Sequence, residues 1–130
     1  MNIKGLVFEA TEFIHNNFGE QMSVDDISAQ VNFSTSYFAA AFRVLTGFTV
    51  KKYLNNYRLH RAAAELVSGE KRIADIAFET GFSSQQTFTK CFSKVYGMAP
   101  AQFRQMKPNF DPFPPKGLWK EKPTLNYMPV

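Results

Sequence analysis

The chain has 130 residues, 45% of them apolar, and a formal net charge of +4, enough for one compact domain of about a hundred residues with a tail and no second domain. Cys91 is the only cysteine, which excludes an internal disulfide or a cysteine zinc cluster. No apolar run approaches the roughly eighteen residues of a membrane span, and residues 1–20 are amphipathic, with Lys4, Glu9, Glu12 and Glu20, so the chain reads as cytoplasmic, with no secretory signal and no membrane partner.

In chain order, residues 3–18 read as an amphipathic opening helix, with Leu6, Phe8, Ala10, Phe13 and Ile14 offered for packing. The stretch from Val24, VDDISAQVNFSTSYFAAAF, is then nearly repeated from Ile73 as IADIAFETGFSSQQTFTKCF. Asp26 and Ile27 match Asp75 and Ile76, and Phe33-Ser34 match Phe82-Ser83. After one extra residue in the second copy, Phe38, Phe42 and Gly47 match Phe88, Phe92 and Gly97.

Each copy predicts helix, tight turn, helix. Val24, Ile27 and Val31, and again Ile73, Ile76 and Ala77, follow the three-to-four spacing of a helix with one buried face. Asn32 and Gly81 stop these helices and are residue types that tolerate a positive φ. Phe33 and Phe82 then turn inward, and Ser34 and Ser83, or the neighbouring Thr35 and Ser84, offer oxygens to cap the next helix. Gly47 and Gly97 supply its C-terminal stop. The helix-turn-helix units therefore span about 23–47 and 72–97.

Between them, residues 49–67 read as a long linker helix. Thr49 is the expected cap, Tyr53, Leu54, Tyr57, Leu59, Ala62, Ala63 and Leu66 its buried side, and Ser68-Gly69 its end. A short helix follows Pro100, which suits a first helical position. No strand pattern competes before Pro108, so the fold class is all-α and the domain covers 1–107. Beyond it, 108–130 interleaves Pro108, Pro112, Pro114, Pro115, Pro123 and Pro129 with Phe110, Phe113, Trp119 and Tyr127. This composition excludes a helix and fits a tail packed on the domain or the start of a linker to an effector domain.

Charge placement informs more than total charge. Residues 27–64 contain no Asp or Glu but carry Arg43, Lys51, Lys52, Arg58 and Arg61. Residues 80–110 are again acid-free and carry Lys90, Lys94, Arg104 and Lys107. Both windows cover a second helix of a unit, where a polyanion would have to lie. The major groove of an RNA duplex does not admit a helix, so the expected partner is double-stranded B-DNA. A protein-binding helical repeat scaffold needs three or more stacked units, and only two copies are present. For catalysis, His15 and His60 fall on different helices without a nucleophile or paired carboxylates, and the glycines are isolated, so neither an enzyme nor a cofactor is expected. No metal site is expected either.

The second copy, extended to IADIAFETGFSSQQTFTKCFSKVYGMAPAQFR, strongly resembles the second helix-turn-helix of AraC/XylS-type bacterial transcription regulators, and VDDISAQVNFSTSYFAAAFRVLTGFTVKKYLNNYRL resembles the first. The resemblance covers about residues 3–107, and SSQQTFTKCF is closest to the MarA/SoxS/Rob branch. It implies seven helices, with two helix-turn-helix units joined by the linker helix. The implied function is sequence-specific DNA-binding transcription regulation, by family majority as an activator acting through RNA polymerase. In some relatives an effector-binding domain follows at this place. The alternatives are a nonspecific architectural DNA-binding protein and a helical protein-interaction module.

Residue by residue, Gln85, Gln86, Thr89 and Lys90 on the polar face of the second unit's second helix are the expected base readers, since Gln pairs bidentately with adenine and Lys reaches guanine. In the first unit Ser36, Ala39 and Ala40 stand where relatives carry a large aromatic, a glutamine and an arginine. Ser36, Tyr37 and Ala40 keep only a base edge, phosphate or thymine methyl within reach, and the second unit should dominate. Thr35, Arg43, Lys51, Ser84, Thr87, Lys94 and Arg104 are the expected phosphate contacts. Arg58 and Arg61 either join them or pair internally with acids such as Asp26 or Glu65. Two units in one chain let a monomer span successive major-groove segments about 34 Å apart, so DNA binding does not require an oligomer. Units held closer than that would bend the duplex.

Overall fold

A computed structural model describes residues 3–115. Among them are seven helices and no strand: α1 (Ile3–Asn17), α2 (Val24–Gln30), α3 (Thr35–Thr46), α4 (Val50–Ser68), α5 (Ile73–Glu79), α6 (Gln85–Tyr96) and α7 (Pro100–Met106). The all-α expectation holds. Trp119, Pro123, Tyr127 and Pro129 lie outside the described residues. No described helix is long and apolar enough to cross a membrane, and no described group of His, Cys, Asp and Glu is arranged to hold a metal.

Four helices, α2, α3, α4 and α6, begin where a short polar side chain replaces a missing backbone partner of the first turn. Ser23 caps α2, with Asp26 returning a bond to the Ser23 N–H, and Thr49 caps α4 by accepting from the Lys52 N–H. α7 opens on Pro100 without a side-chain cap. Gly47 and Gly97 close α3 and α6 in the left-handed region, at φ 81° and 74°. Gly69 ends α4 differently, with an extended backbone at φ −150°.

Two hydrophobic cores result, and α4 contributes to both. The first gathers Leu6, Val7, Ala10 and Ile14 of α1 with Ile27, Phe38 and Phe42, closed by Val50, Tyr53 and Leu54 from the start of α4. The second gathers Ile76, Ala77, Phe82, Phe88, Phe92 and Phe103, closed by Leu59, Ala62, Ala63 and Leu66 from the rest of α4. Every linker residue expected on the buried side is buried. In α1 the stripe is displaced from the expected one: Val7 and Thr11 are buried beside Ala10 and Ile14, whereas Phe8 and Phe13 are half-buried at its edge. Truncating a core ring such as Phe38 or Phe88, each with no exposed surface, should cost about 3–5 kcal/mol.

Candidate nucleic-acid interface

Each turn fixes the angle at which its second helix is presented. In the first unit Asn32 takes φ 62°, and the Asn32 and Phe33 N–H groups donate to Ala29 and Ser28 carbonyls at 3.3 Å. In the second, Gly81 takes φ 98°, and the Gly81 and Phe82 N–H groups donate to Phe78 and Ala77 carbonyls at 3.1 and 2.9 Å. The caps resolve to Ser34 and Ser84, whose hydroxyls accept from the Tyr37 and Thr87 N–H groups at 3.3 and 3.0 Å. Counting back from Phe38 and Phe88 would have chosen these two, because the extra residue of the second copy lies before the cap.

The buried Phe38 and Phe42 pack with ring centres 5.7 Å apart and Phe88 and Phe92 with centres 5.5 Å apart, which turns the opposite stripes of α3 and α6 outward. At 3.6 residues per turn, those stripes carry Ser36, Ala40 and Arg43 in the first unit and Gln86, Lys90 and Ser93 in the second. Gln85, Gln86, Thr87, Lys90 and Lys94 are exposed and Thr89 is half-buried. Ser36, Tyr37, Ala40 and Arg43 are exposed, with the Tyr37 ring stacked on Phe33 at 5.3 Å. Lys51 is exposed at the start of α4.

Three expected phosphate contacts have other partners. The Thr35 hydroxyl donates to the Asp25 carboxylate and lies 3.1 Å from the Ser28 hydroxyl. An acid outside the acid-free window is thereby folded back against the start of α3. The Ser84 hydroxyl is committed to the cap and donates to the Thr87 hydroxyl at 3.0 Å, leaving the Thr87 proton free. Arg104 Nε donates to the Leu66 carbonyl at 3.1 Å, with its Nη2 buried; its charge is held against the end of α4.

Arg58 turns inward and the exposed Arg61 lies over neighbouring rings, neither of them paired with an acid. Arg58 donates through Nε to the Phe18 carbonyl at 2.7 Å and through Nη2 to the Glu20 carbonyl at 2.8 Å. Burial pulls its pKa down from the usual arginine range. Arg61 lies 4.9 Å from the centre of the Phe18 ring and donates to the Tyr57 hydroxyl at 3.4 Å. A Cβ on Gly81 would sit 2.6 Å from Arg58 Nε and 2.7 Å from the Phe18 carbonyl, and one on Gly19 would sit 2.6 Å from the Glu79 carbonyl. The α1–α2 loop of the first unit thus rests directly on the turn of the second, with Arg58 as the clasp. No local sequence signal marked this, since Arg58 and Phe18 are 40 residues apart.

Beside the clasp a groove of about 660 Å³ opens, with Val24, Ile27 and Leu54 on its floor, the half-buried Cys91 among its walls, and Lys51, Lys52 and Arg58 but no carboxylate in its lining. His15 Nε2 lies 2.8 Å from the Tyr53 hydroxyl and its ring stacks on Tyr57 at 4.2 Å. Burial lowers the pKa of His15 and of His60. The outward stripes of α3 and α6 offer hydrogen bonding and positive charge.

A helix-turn-helix domain family matches residues 19–106. The Msm operon regulatory protein of Streptococcus mutans is 32% identical over 102 residues, which cover 78% of this chain and 37% of that protein. The chain therefore spans little more than a third of that relative's length. A transcriptional regulator of Chromobacterium violaceum with an AraC-type DNA-binding domain superposes with a TM-score of 0.74 at 28% identity, covering 78% of this chain and 91% of that one. The DNA-binding domain of AdpA, a global transcriptional factor solved in complex with a target DNA, superposes with a TM-score of 0.75 at 25% identity, covering 77% and 90%.

Proposed function

Because this chain belongs to the AraC-type helix-turn-helix family of DNA-binding domains, we propose that it regulates transcription by reading two successive major-groove segments of one duplex as a monomer, with the second unit dominant. The observation that carries this reading is the difference between the outward stripes. Gln86 and Lys90, flanked by Gln85 and Thr89, give α6 reach and hydrogen-bonding capacity, whereas Ser36 and Ala40 give α3 little. Each good bidentate base contact contributes about 1–3 kcal/mol of discrimination. Ser36, Tyr37 and Ala40 then meet base edges or a thymine methyl at close range.

Phosphates are held by Arg43, Lys51, Lys94 and the free Thr87 hydroxyl. The unpaired N–H groups at the starts of α3 and α6 assist, because Ser34 and Ser84 satisfy only two of the first four in each helix. Thr35, Ser84 and Arg104 are left out of this set for the partners given above. The domain acts in the cytoplasm on the nucleoid, and the operon regulator among its relatives supports a promoter-bound role. Activation through RNA polymerase, and an effector domain joined after the described residues, complete the proposal.

Selection of bound duplexes from a random pool tests it. Two recognised segments about one helical turn apart are expected, with more information in the segment that loses its preference when Gln86 becomes Ala. That substitution should reduce discrimination about 5- to 150-fold. Equal information in both segments would overturn the asymmetry. Retention without any preferred sequence would favour an architectural DNA binder, and no duplex retention a protein-interaction module.

A further inference from the structure

Two cores that share no buried residue, joined by one helix, would leave the reading helices free to shift against each other unless other ties hold them. The Arg58 clasp is one tie. A second begins where α7 ends: Lys107 takes a left-handed conformation at φ 48°, its N–H bonded to the Phe103 carbonyl at 2.8 Å, and the chain turns back across the molecule. The Phe110 ring lies on the second core, 5.4 Å from His60, 5.5 Å from Phe103 and 6.2 Å from Tyr96 of α6. Three residues later the Phe113 ring lies on the first core, 5.0 Å from Tyr53 and 5.3 Å from Phe48. Tyr53 in turn meets Phe42 of α3 edge-on at 5.4 Å.

The crossing segment therefore touches α6 through one ring and reaches α3 through one intervening ring. Asn56 lines the same crossing. At 100° per residue, Tyr53, Asn56 and His60 share one face of α4 and Arg58 occupies the opposite face, so the linker helix is gripped on both sides.

We propose that residues 108–115 form a strap that sets the separation and orientation of the two reading helices, with Phe110 and Phe113 as positioning residues for two-segment DNA recognition. This rests on the two-segment reading above. Holding both readers in register makes engagement of the second segment effectively intramolecular, and a slack strap forfeits that gain while leaving each unit's own contacts intact.

The test uses the full chain with Cys91→Ala, the residue that Ala41 already supplies in the first unit, and spin labels on Ser36→Cys and Gln86→Cys. Double electron–electron resonance should give a narrow distance distribution, broadened by Phe110→Ala/Phe113→Ala. Because ring removal also thins both cores, a second variant inserts glycines after Asp111, keeping both rings while slackening the connection. It too should broaden the distribution, at unchanged helical circular dichroism. An unchanged distribution in the insertion variant would overturn the strap.

On unlabelled chains, the insertion variant should bind a duplex carrying both segments roughly tenfold more weakly than the parent. It should bind a duplex carrying only the second segment equally well. Equal weakening on both duplexes would also overturn the positioning role. A parent chain that fails to distinguish the two duplexes would count against two-segment reading, while the label distances still decide the strap.

Discussion

The two helix-turn-helix units have matching but separate interiors and differ in what they show to solvent. Phe38–Phe42 and Phe88–Phe92 pack at nearly equal distances, and Gly47 and Gly97 close their helices with N–H bonds of 2.9 and 2.8 Å to Arg43 and Ser93 carbonyls. Even the matched acids diverge once they reach the surface: Asp26 completes a capping box with Ser23, whereas Asp75 pairs with Arg72 at 3.2 Å. Packing geometry tolerates few solutions and is copied; a solvated face is free to specialise. The outward stripe of α6 carries long polar side chains at Gln86 and Lys90, and that of α3 carries small ones at Ser36 and Ala40, with an acid folded against its start. Under the proposed function, the first unit positions and the second reads.

The largest effect should separate the two turns. Gly81 is left-handed and also lacks room for a Cβ, whereas Asn32 is left-handed and exposed. Gly81→Ala adds a left-handed strain of about 1–2 kcal/mol to overpacking of about 1–3 kcal/mol against Arg58 and the Phe18 carbonyl. Asn32→Ala meets only strain of the first kind. Urea denaturation should therefore show Gly81→Ala losing more stability than Asn32→Ala. Equal losses would mean that the clasp yields, and that the units are not wedged together at this turn.

How much of this was legible in the sequence depended on range. Caps, stops and the buried side of α4 are local properties, fixed by hydrogen-bond geometry and helical period within a few residues, and Thr49, Asn32, Gly81 and the Tyr53–Leu66 stripe were readable for that reason. The opening helix was harder because Val7 and Phe8 are adjacent apolar residues and only docking decides which is central. Arg58 on Phe18, Arg104 on Leu66, and Phe110 and Phe113 on separate cores depend on residues brought together by tertiary docking. The bond from Thr35 to Asp25 was equally hidden, because the acid-free window is a statement about sequence and Asp25 enters from outside it.

A smaller effect should appear on acidification. Burial holds the His15 and His60 pKa values below 6.5, so the native state resists protons that the unfolded chain accepts. Their contribution to stability is complete above about pH 6.5 and declines as the pH falls below it, by no more than about 1.4 kcal/mol per pH unit for each histidine. His15 has a partner in the Tyr53 hydroxyl, whereas His60 Nδ1 is buried without one. Melting temperatures from pH 7 to pH 5 should fall, and His15→Gln should flatten the part of that fall belonging to the first unit. A parent chain as stable at pH 5 as at pH 7 would contradict the burial argument for both rings.

The smallest effect probes the proposed weaker reading by the first unit. The Asp25 carboxylate accepts the Thr35 hydroxyl bond at the start of α3, where free N–H groups and the positive end of the helix dipole would otherwise favour a phosphate. Asp25→Asn keeps the size and an acceptor oxygen for Thr35 while removing the negative charge. A DNA backbone approaching α3 then loses a repulsive neighbour, and affinity should rise a few-fold at low salt, with the gain shrinking as ionic strength screens it. The gain should be the same for every sequence, since a carboxylate facing phosphates carries no base information. Sequence-dependent changes would instead place Asp25 near a base edge and assign the first unit a larger share of the reading than its small side chains indicate. Titrations of a selected and a scrambled duplex at two salt concentrations distinguish these outcomes.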